Sequence, residues 1–333
     1  MKNKRFLACC LAAVMGMSLL AGCSSDGGST ADAGAQVVIY SNADDEAITA
    51  MKNALDANGY EGKYIVQGFG TSELGGKLLA EGKNLEADLV TMSTFYLQSA
   101  QDTNDMFLPL EFDVKTLDEF PDYCAPITSQ EGAIILNTEL LEQEGLPRPA
   151  SIKDLADPVY EGQLAVTDIQ SSSTAWLLIQ ALVDAYGEDG AEKTLAAIYK
   201  NAGDHIETSG SGPLKLCRAG EIAVGFGLRH QAVADKADGL PIDFVDPTEG
   251  NFSLTESVAV LDKGEKTNPL AMEMAQCIIE NGREELQQTY PNPLYEGESS
   301  DAVNKSAYPK TFSEPLTFEL FQKHQQLSEN AKP

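Results

Sequence analysis

The fold is indicated by residues 36–57, which read QVVIYSNADDEAITAMKNALDA. The first five residues form an apolar, β-branched run that predicts a buried strand. Ser41 and Asn42 end this run, and a helical pattern follows from Asp45 to Ala57. The segment therefore predicts a strand, a polar loop and a helix in succession.

The same order of elements recurs along the chain. Further strands are predicted at residues 62–67, 87–92, 132–136, 163–167, 223–226 and 257–261. Most of these runs lead through a polar loop into a helical pattern. Strands that alternate with helices indicate an α/β protein built on a parallel, doubly wound sheet.

The length of the chain predicts two lobes. About 300 residues follow the first 35, and a chain of that length usually folds around more than one hydrophobic core. We expect two crossings between the lobes. With these crossings, lobe 1 is predicted to contain residues 36–128 and 257–333, and lobe 2 residues 129–256. The predicted fold class is thus α/β, two-lobed, with a hinge of two crossovers that closes around a ligand.

The N-terminus predicts export. Residues 1–5 contain three basic side chains and residues 6–20 are apolar, which is typical of a secretory signal peptide, here residues 1–22. The sequence Leu20-Ala21-Gly22-Cys23 resembles a bacterial lipobox, so we expect Cys23 to carry lipid. Residues 23–35 lack large apolar side chains and are predicted to form a flexible tether. The expected location is extracytoplasmic, with a lipid anchor in the cell membrane.

The charge restricts the partners of the protein. The sequence contains 51 acidic and 23 basic residues, a net charge of −28, and removal of the predicted signal peptide lowers it to −31. Such a charge excludes a nucleic-acid partner and disfavours long-range attraction of an anion. An anion site must therefore be built locally. We expect a monomer, with a small-molecule solute as its ligand.

Enzyme and metal signatures are absent from the sequence. It contains no G-x-S-x-G, H-E-x-x-H, Walker A or complete G-x-G-x-x-G motif. Three cysteines follow the tether, Cys124, Cys217 and Cys277, and no pair has metal-ligand spacing. We expect buried thiols, no cofactor and no catalysis.

Hydroxyl side chains recur where predicted strands end and helices begin. Such strand ends line the ligand crevice of open α/β sheets, and helix starts offer unpaired N–H groups and a partial positive charge. Serine and threonine are also ordinary helix caps, which is the alternative explanation. Several loops that converge on one cleft favour an oxyanion site. The candidate residues are Ser41, Thr71, Ser72, Ser93, Thr94, Ser172, Ser173, Thr174, Ser209 and Ser211.

Three further candidates are charged or titratable. Arg229 and His230 follow the predicted strand at 223–226, and Glu256 precedes the strand at 257–261. A guanidinium group suits phosphate or carboxylate, and His230 can donate or accept a hydrogen bond. Glu256 would accept from a hydroxyl or pair with an ammonium group; an ordinary surface carboxylate is the alternative.

The remaining histidines and the tryptophan are predicted to lie outside the site. His205 and His324 occur in polar stretches and are expected at the surface. Trp176 follows the Ser171 to Thr174 loop and is expected in the core.

Taken together, several motifs resemble the family 1 extracellular solute-binding proteins. The resemblance covers nearly the whole chain after the tether. Within this family, the sequence is similar to the branch that contains ferric-iron, thiamine, 2-aminoethylphosphonate, phosphoglycerate and hexose-phosphate binding proteins. The motifs are Val38-Ile39-Tyr40-Ser41, Gly68 to Leu74, Ala87-Asp88-Leu89, Asp157 to Gly162, Ser172-Ser173-Thr174-Ala175 and Ser209-Gly210-Ser211-Gly212.

The resemblance implies a binding protein that closes on a solute and passes it to a membrane ABC permease. It places Ser41, Thr71, Ser72, Ser93, Ser172, Thr174, Ser209 and Ser211 in the cleft. His230 matches a position where sugar-phosphate and phosphonate members often carry a His-Asp pair. Gln231 replaces the acid here and Arg229 precedes the histidine, which favours an anionic group over a sugar hydroxyl.

A small phosphonate or phosphorylated metabolite is therefore the leading ligand hypothesis. Ferric iron is the alternative, although the chain has no Tyr-Tyr pair of the kind that iron-binding members typically carry. A thiamine ligand, or a sensory or adhesive lipoprotein without a transported solute, is a second alternative.

Overall fold

The structure is a computed structural model that describes residues 36–333. The predicted signal peptide, the tether and the lipid site at Cys23 lie outside these residues. Helices and strands alternate as expected in the first half of the chain. The strands are β1 (Val37–Ser41), β2 (Tyr64–Gly68), β3 (Leu89–Ser93), β4 (Cys124–Asn137), β5 (Leu164–Thr167), β6 (Ile206–Glu207), β7 (Val224–Leu228), β8 (Ile242–Val245), β9 (Asn251–Val260) and β10 (Pro309–Lys310).

Nine α-helices occur within residues 36–333, together with short single-turn helices. They are α1 (Asp45–Leu55), α2 (Thr71–Glu81), α3 (Thr94–Asn104), α4 (Thr138–Gln143), α5 (Thr174–Ala202), α6 (Gly212–Ala219), α7 (Arg229–Ala237), α8 (Pro269–Thr289) and α9 (Phe318–Ala331). Within the same residues, no helix is both long and apolar enough to span a bilayer.

The strands form one mixed sheet with the order β2-β1-β3-β9-β4-β7-β5-β6, and β10 and β8 add to β9 and β4. β1 pairs parallel with β2 and β3, and β5 pairs parallel with β6 and β7. Between these two parallel parts, β9 runs antiparallel to β3 and to β4, and β4 runs antiparallel to β7. The predicted α/β class is confirmed, but the sheet is not purely parallel.

Two long strands connect the two parts of the sheet. In β4, residues 124–131 pair with β9 and residues 132–136 pair with β7. The strand predicted at 132–136 is therefore only the second half of β4, and the strand predicted at 257–261 is the second half of β9. Both predicted crossings fall inside these continuous strands, where ladder hydrogen bonds hold the chain extended.

The C-terminal segment contacts elements on both sides of the predicted hinge. β10 pairs with β9 at Asn251 and Phe252, and α9 packs mainly on α5 and also on α3. At the junction of these helices, the rings of Phe95, Trp176 and Phe321 lie 4.8 to 5.2 Å apart. The lobe boundaries at residues 128 and 256 remain a prediction, and the segment after residue 300 does not pack on the first part of the sheet alone.

Most residues that were expected in the core are buried. Trp176 is fully buried, and Cys124, Cys217 and Cys277 are free, buried thiols. The prediction for His324 is wrong, because its side chain is only 1% exposed and its Nδ1 accepts a 2.7 Å hydrogen bond from Trp176 Nε1. His324 lies on the apolar face of α9 with Phe321 and Leu327, a helical spacing that its polar neighbours obscure.

Candidate ligand-binding cleft

A cavity of about 240 Å³, here called the small cavity, lies where several strands end and helices begin. Its volume corresponds to roughly eight water molecules, which suits a small solute. Both parts of the sheet contribute to its walls. The lining residues are Asn42, Ala43, Asp44, Phe69, Gly70, Thr71, Gln130, Ser171, Ser172, Ser173, Thr174, Thr208, Ser209, Gly210, Ser211, Leu228 and Glu256.

A second, larger cavity of about 650 Å³ shares Asp44, Ser209 and Ser211 with the small cavity. His230, Gln231, Lys215 and Arg218 line it. Arg218 forms an ion pair with the buried Asp235. The two cavities therefore adjoin each other, and the larger one is lined by both basic and acidic side chains.

Three helices that begin at the small cavity lack side-chain caps, whereas α1, whose N-cap Asp44 also lines the cavity, is capped. α2, α5 and α6 start after Gly70, Ser173 and Ser211, and none of these residues caps its helix with a side-chain hydrogen bond. Among the helices that begin elsewhere, α4 is capped by Asn137 and α9 by Thr317, whereas Ser93 does not cap α3. The ordinary explanation for the hydroxyls, helix capping, therefore does not apply to Ser173 and Ser211. First-turn N–H groups lack the usual intrahelical acceptors, but at the start of α5 Ala175 N donates to Ser172 O and Trp176 N donates to Ser173 O. At the start of α6, Gly212 N donates to Ser209 O and the proline at position 213 has no N–H. An oxyanion at these two starts would therefore be bound by hydroxyl groups rather than by the helix ends.

Each of the loops has its own local geometry. Ser172 Oγ accepts from Thr174 N at 3.3 Å, so all three amides at the start of α5, those of residues 174–176, already have partners. A Cβ atom at Gly210 would lie 2.2 Å from Thr174 Oγ1, so glycine allows the loop after β6 to approach α5. The Glu207 side chain packs against Gly212 at the start of α6. Glu73 lies in the first turn of α2, so the hydroxyl groups at the start of α5 are the better donors for an anion.

Six of the predicted hydroxyl residues line the small cavity: Thr71, Ser172, Ser173, Thr174, Ser209 and Ser211. The other four do not. Ser41 Oγ accepts from Thr91 Oγ1 at 2.7 Å, and Thr94 Oγ1 donates to Thr255 O at 3.0 Å, so both hydroxyls hold the sheet together. Ser72 and Ser93 have buried hydroxyls that line neither cavity. The structure therefore does not support these four as ligand-binding residues.

Arg229 has a structural role that the sequence does not reveal. Its guanidinium pairs with Asp246 through two hydrogen bonds of 2.7 and 3.2 Å. The other three donors reach the carbonyl oxygens of Val303, Asn304 and Lys305. All five N–H donors of an arginine are thus used. The prediction that Arg229 supplies charge to a bound anion is contradicted, because no donor is left for a ligand.

His230 is buried at the edge of the large cavity. Its ring lies 4.8 Å from the ring of Tyr290, and neither nitrogen has a hydrogen-bond partner. Burial lowers the pKa of His230 to about 4. The imidazole is therefore neutral near pH 7 and acts as a hydrogen-bonding group without positive charge.

Acidic groups occupy one end of the small cavity. Glu256, on β9, is 6% exposed, and its Oε1 accepts from Asn42 Nδ2 at 3.1 Å. Burial, with the nearby Asp44 carboxylate, raises the pKa of Glu256 to about 7. Asp44 caps α1 through Ala47 N and accepts from the Tyr290 hydroxyl. Burial also raises the pKa of Asp44. The alternative of an ordinary surface carboxylate is therefore wrong for Glu256.

Several residues of the site were not predicted from the sequence. Asn42 and Asp44 directly follow β1, so their position at a strand end was an available signal. Asp44 is also an ordinary N-cap, which concealed its place in the cleft. Gln130, Thr208 and Tyr290 carry no sequence pattern that indicates a ligand site. Among residues 36–333, no group of three or more His, Cys, Asp or Glu side chains is arranged to hold a metal ion.

The fold and this cleft are typical of a protein that binds a solute between two parts of an α/β sheet. The sequence model of the bacterial extracellular solute-binding protein family matches residues 46–281. The chain belongs to this family. It is an extracytoplasmic solute-binding protein of an ABC transporter, and its partners are a small-molecule solute and an ABC permease.

Individual relatives are distant. An uncharacterised protein of Haemophilus influenzae is 26% identical over 244 residues, which cover 70% of this chain and 69% of the relative. The periplasmic binding protein AfuA of Actinobacillus pleuropneumoniae, solved with fructose-6-phosphate, has a TM-score of 0.70 at 20% identity, over 89% of this chain and 97% of AfuA. Iron-bound HitA of Pseudomonas aeruginosa has a TM-score of 0.69 at 18% identity, over 89% and 99%. These likenesses confirm the two-lobed periplasmic-binding-protein fold.

Proposed function

We propose that this protein is a lipid-anchored receptor that captures a small solute with a phosphonate or phosphate group and delivers it to its permease. The observation that carries the proposal is the convergence of six hydroxyl side chains from three loops on the small cavity. Such donors suit the oxygens of a tetrahedral oxyanion. The lipid on Cys23 would hold the receptor near the permease.

The alternative ligand is ferric iron. Asp44, Glu256 and Tyr290 supply oxygen atoms at one end of the cleft, and hard metal ions prefer oxygen ligands. However, burial and the neighbouring Asp44 raise the pKa of Tyr290 strongly, so its hydroxyl keeps the proton that a metal would have to displace. The oxyanion ligand therefore fits the cleft better.

Thermal unfolding of the purified full-length protein tests the proposal. The panel contains 2-aminoethylphosphonate, phosphoglycerate, hexose phosphates, inorganic phosphate, thiamine phosphates and ferric citrate. A ligand at about 100 times its dissociation constant stabilises the folded protein by roughly 2.7 kcal/mol, which raises the unfolding temperature measurably.

The variant Ser172→Ala should reduce the shift, because it removes a hydroxyl of the small cavity. The exposed Ser253 of β9 provides a matched control, and Ser253→Ala should leave the shift unchanged. A shift with ferric citrate alone would replace the proposed ligand with iron. No shift with any compound would favour a sensory or adhesive role.

A further inference from the structure

The acidic end of the small cavity has unfilled acceptors. Glu256 Oε2 is buried without a hydrogen-bond partner, although the other carboxylate oxygen binds Asn42. In the sheet, the backbone of Glu256 lies opposite Ser93 of β3 and Thr128 of β4, which fixes its position in the middle of the sheet. A buried carboxylate oxygen without a partner is costly, so this atom points to a missing donor.

Asn42 has the same deficit. Its Nδ2 group donates to Thr71 Oγ1 and to Glu256 Oε1, both at 3.1 Å, which uses both of its N–H donors. Its Oδ1 is buried and has no partner. The Tyr290 hydroxyl also donates, to Asp44. The donors of Asn42 and Tyr290 are therefore used, while Asn42 and Glu256 each keep a free acceptor.

The charge of the cavity wall is consistent with this pattern. None of the described residues that line the small cavity is a lysine or an arginine, whereas Asp44 and Glu256 are both acidic. An anion alone would bring a third negative group next to them, which Coulomb repulsion disfavours. A solute with a cationic group would instead relieve the repulsion between the two carboxyl groups.

The hydroxyl groups and the acidic groups come from different parts of the sheet. Ser172, Thr174, Ser209 and Ser211 follow β5 and β6, whereas Asp44 follows β1 and Glu256 lies on β9. In the sheet order, β4 and β7 separate β9 from β5. One solute that contacts both groups would bridge the two parts of the sheet.

We propose that the ligand is a short bipolar solute, with a primary ammonium group held by Glu256, Asn42 and Asp44 and an oxyanion held by the hydroxyl groups opposite. An ammonium group has three N–H donors, which matches these three acceptor side chains. A solute that fits within the small cavity has only a few bonds between the two charges. This inference rests on the proposed function and narrows its class of ligand to amino-phosphonates and amino-phosphates.

Isothermal titration calorimetry with the full-length protein tests the ammonium site. The probes are 2-aminoethylphosphonate and propylphosphonate, which differ only in an ammonium group against a methyl group. Hydrogen bonds to charged groups contribute enough for a difference of about 10- to 100-fold in affinity. We expect 2-aminoethylphosphonate to bind more tightly by this factor, and Glu256→Gln to reduce the ratio to below about 3-fold.

Two further variants separate the poles. Ser172→Ala should weaken both phosphonates by the same factor and preserve their ratio. Glu131→Gln changes another, half-buried carboxyl group, which accepts from Ser306 Oγ and does not line the small cavity. It should leave both affinities unchanged, and circular dichroism of each variant verifies that it is folded.

The outcomes distinguish the two proposals. Equal affinity for the two phosphonates in the wild-type protein would refute the ammonium site and leave the proposed phosphonate function intact. If neither phosphonate binds, the proposed function is wrong, and the ammonium site is then tested with propylamine. Binding of propylamine that Glu256→Gln abolishes would support the site, and no binding would refute it.

Discussion

Glu256 is expected to destabilise the ligand-free protein, and its replacement by glutamine should make the protein more stable. Burial raises the pKa of Glu256 from 4.5 in the unfolded chain to about 7 in the folded protein. Between these pH values, the folded protein binds more protons than the unfolded chain. The stability associated with the neutral carboxyl group is therefore fully present below pH 4.5 and is lost as the pH rises through 7.

The magnitude follows from the pKa difference. At 1.36 kcal/mol per pKa unit, the shift corresponds to a loss of up to about 3 kcal/mol above pH 7. The glutamine side chain of the Glu256→Gln variant would be neutral at all pH values, and its amide oxygen can accept from Asn42 as the carboxylate does. At pH 8.5, Glu256→Gln should thus be more stable than the wild-type protein by up to about 3 kcal/mol. At pH 4.5, the two proteins should be nearly equal.

Urea denaturation at pH 4.5 and pH 8.5 measures this difference, with circular dichroism as the signal. Glu131→Gln is the matched control; its parent carboxyl group has a hydrogen-bond donor in Ser306 and lies near Arg229. Its variant should show no gain of comparable size at pH 8.5. If Glu256→Gln were less stable than the wild-type protein at pH 8.5, the carboxylate would have a stabilising partner and the reasoning would be wrong. A gain in stability together with a loss of amine selectivity is the expected signature of a residue kept for binding.

Three further predictions concern other parts of the molecule. Arg229→Ala should lower the free energy of unfolding by about 3 kcal/mol, because it leaves the largely buried Asp246 without its cation. Urea denaturation measures this loss, and unchanged ligand affinity of the folded fraction is expected. Burial lowers the pKa of His324 to about 4, so its contribution to stability should be lost as the pH falls from 6.5 through 4, by up to about 3 kcal/mol; His324→Ala should abolish this pH dependence in the same denaturation assay. Cys23→Ser should transfer the protein from the membrane fraction to the soluble fraction of cells, and retention in the membrane would contradict a lipid anchor.

The class of fold was predictable because it depends on short-range patterns. The alternation at residues 36–57 is confirmed by β1 and α1, and β2, β3 and β5 also lie close to their predicted positions. The full length of β4 was not predictable. Its first half contains Pro126 and polar residues, and it becomes a strand only because β9 provides a partner for it. Strand pairing between distant segments leaves little trace in the local sequence.

The candidate site was predicted in part for the same reason. Thr71, Ser172 and Ser211 lie directly at helix starts, so their sequence position alone placed them in the cleft. Ser41 and Thr94 have the same local context, yet they hydrogen-bond within the sheet. The direction of a side chain near a strand end depends on the twist and pairing of neighbouring strands, which a local pattern does not specify.

The sequence by itself determined the class of this protein, because the order of strands and helices, the hydroxyl-rich loops and the matched family pattern are all written along the chain. Only the tertiary structure decided the chemistry of the cleft. In the folded protein, Asp246 and three carbonyl groups accept from all the donors of Arg229, and Glu256 lies beside Asn42 and Asp44. Asn42 and Glu256, for example, are more than 200 positions apart in the sequence. The charge that a ligand meets depends on such contacts, because hydrogen bonding and burial, rather than residue type, decide which groups remain free to bind it.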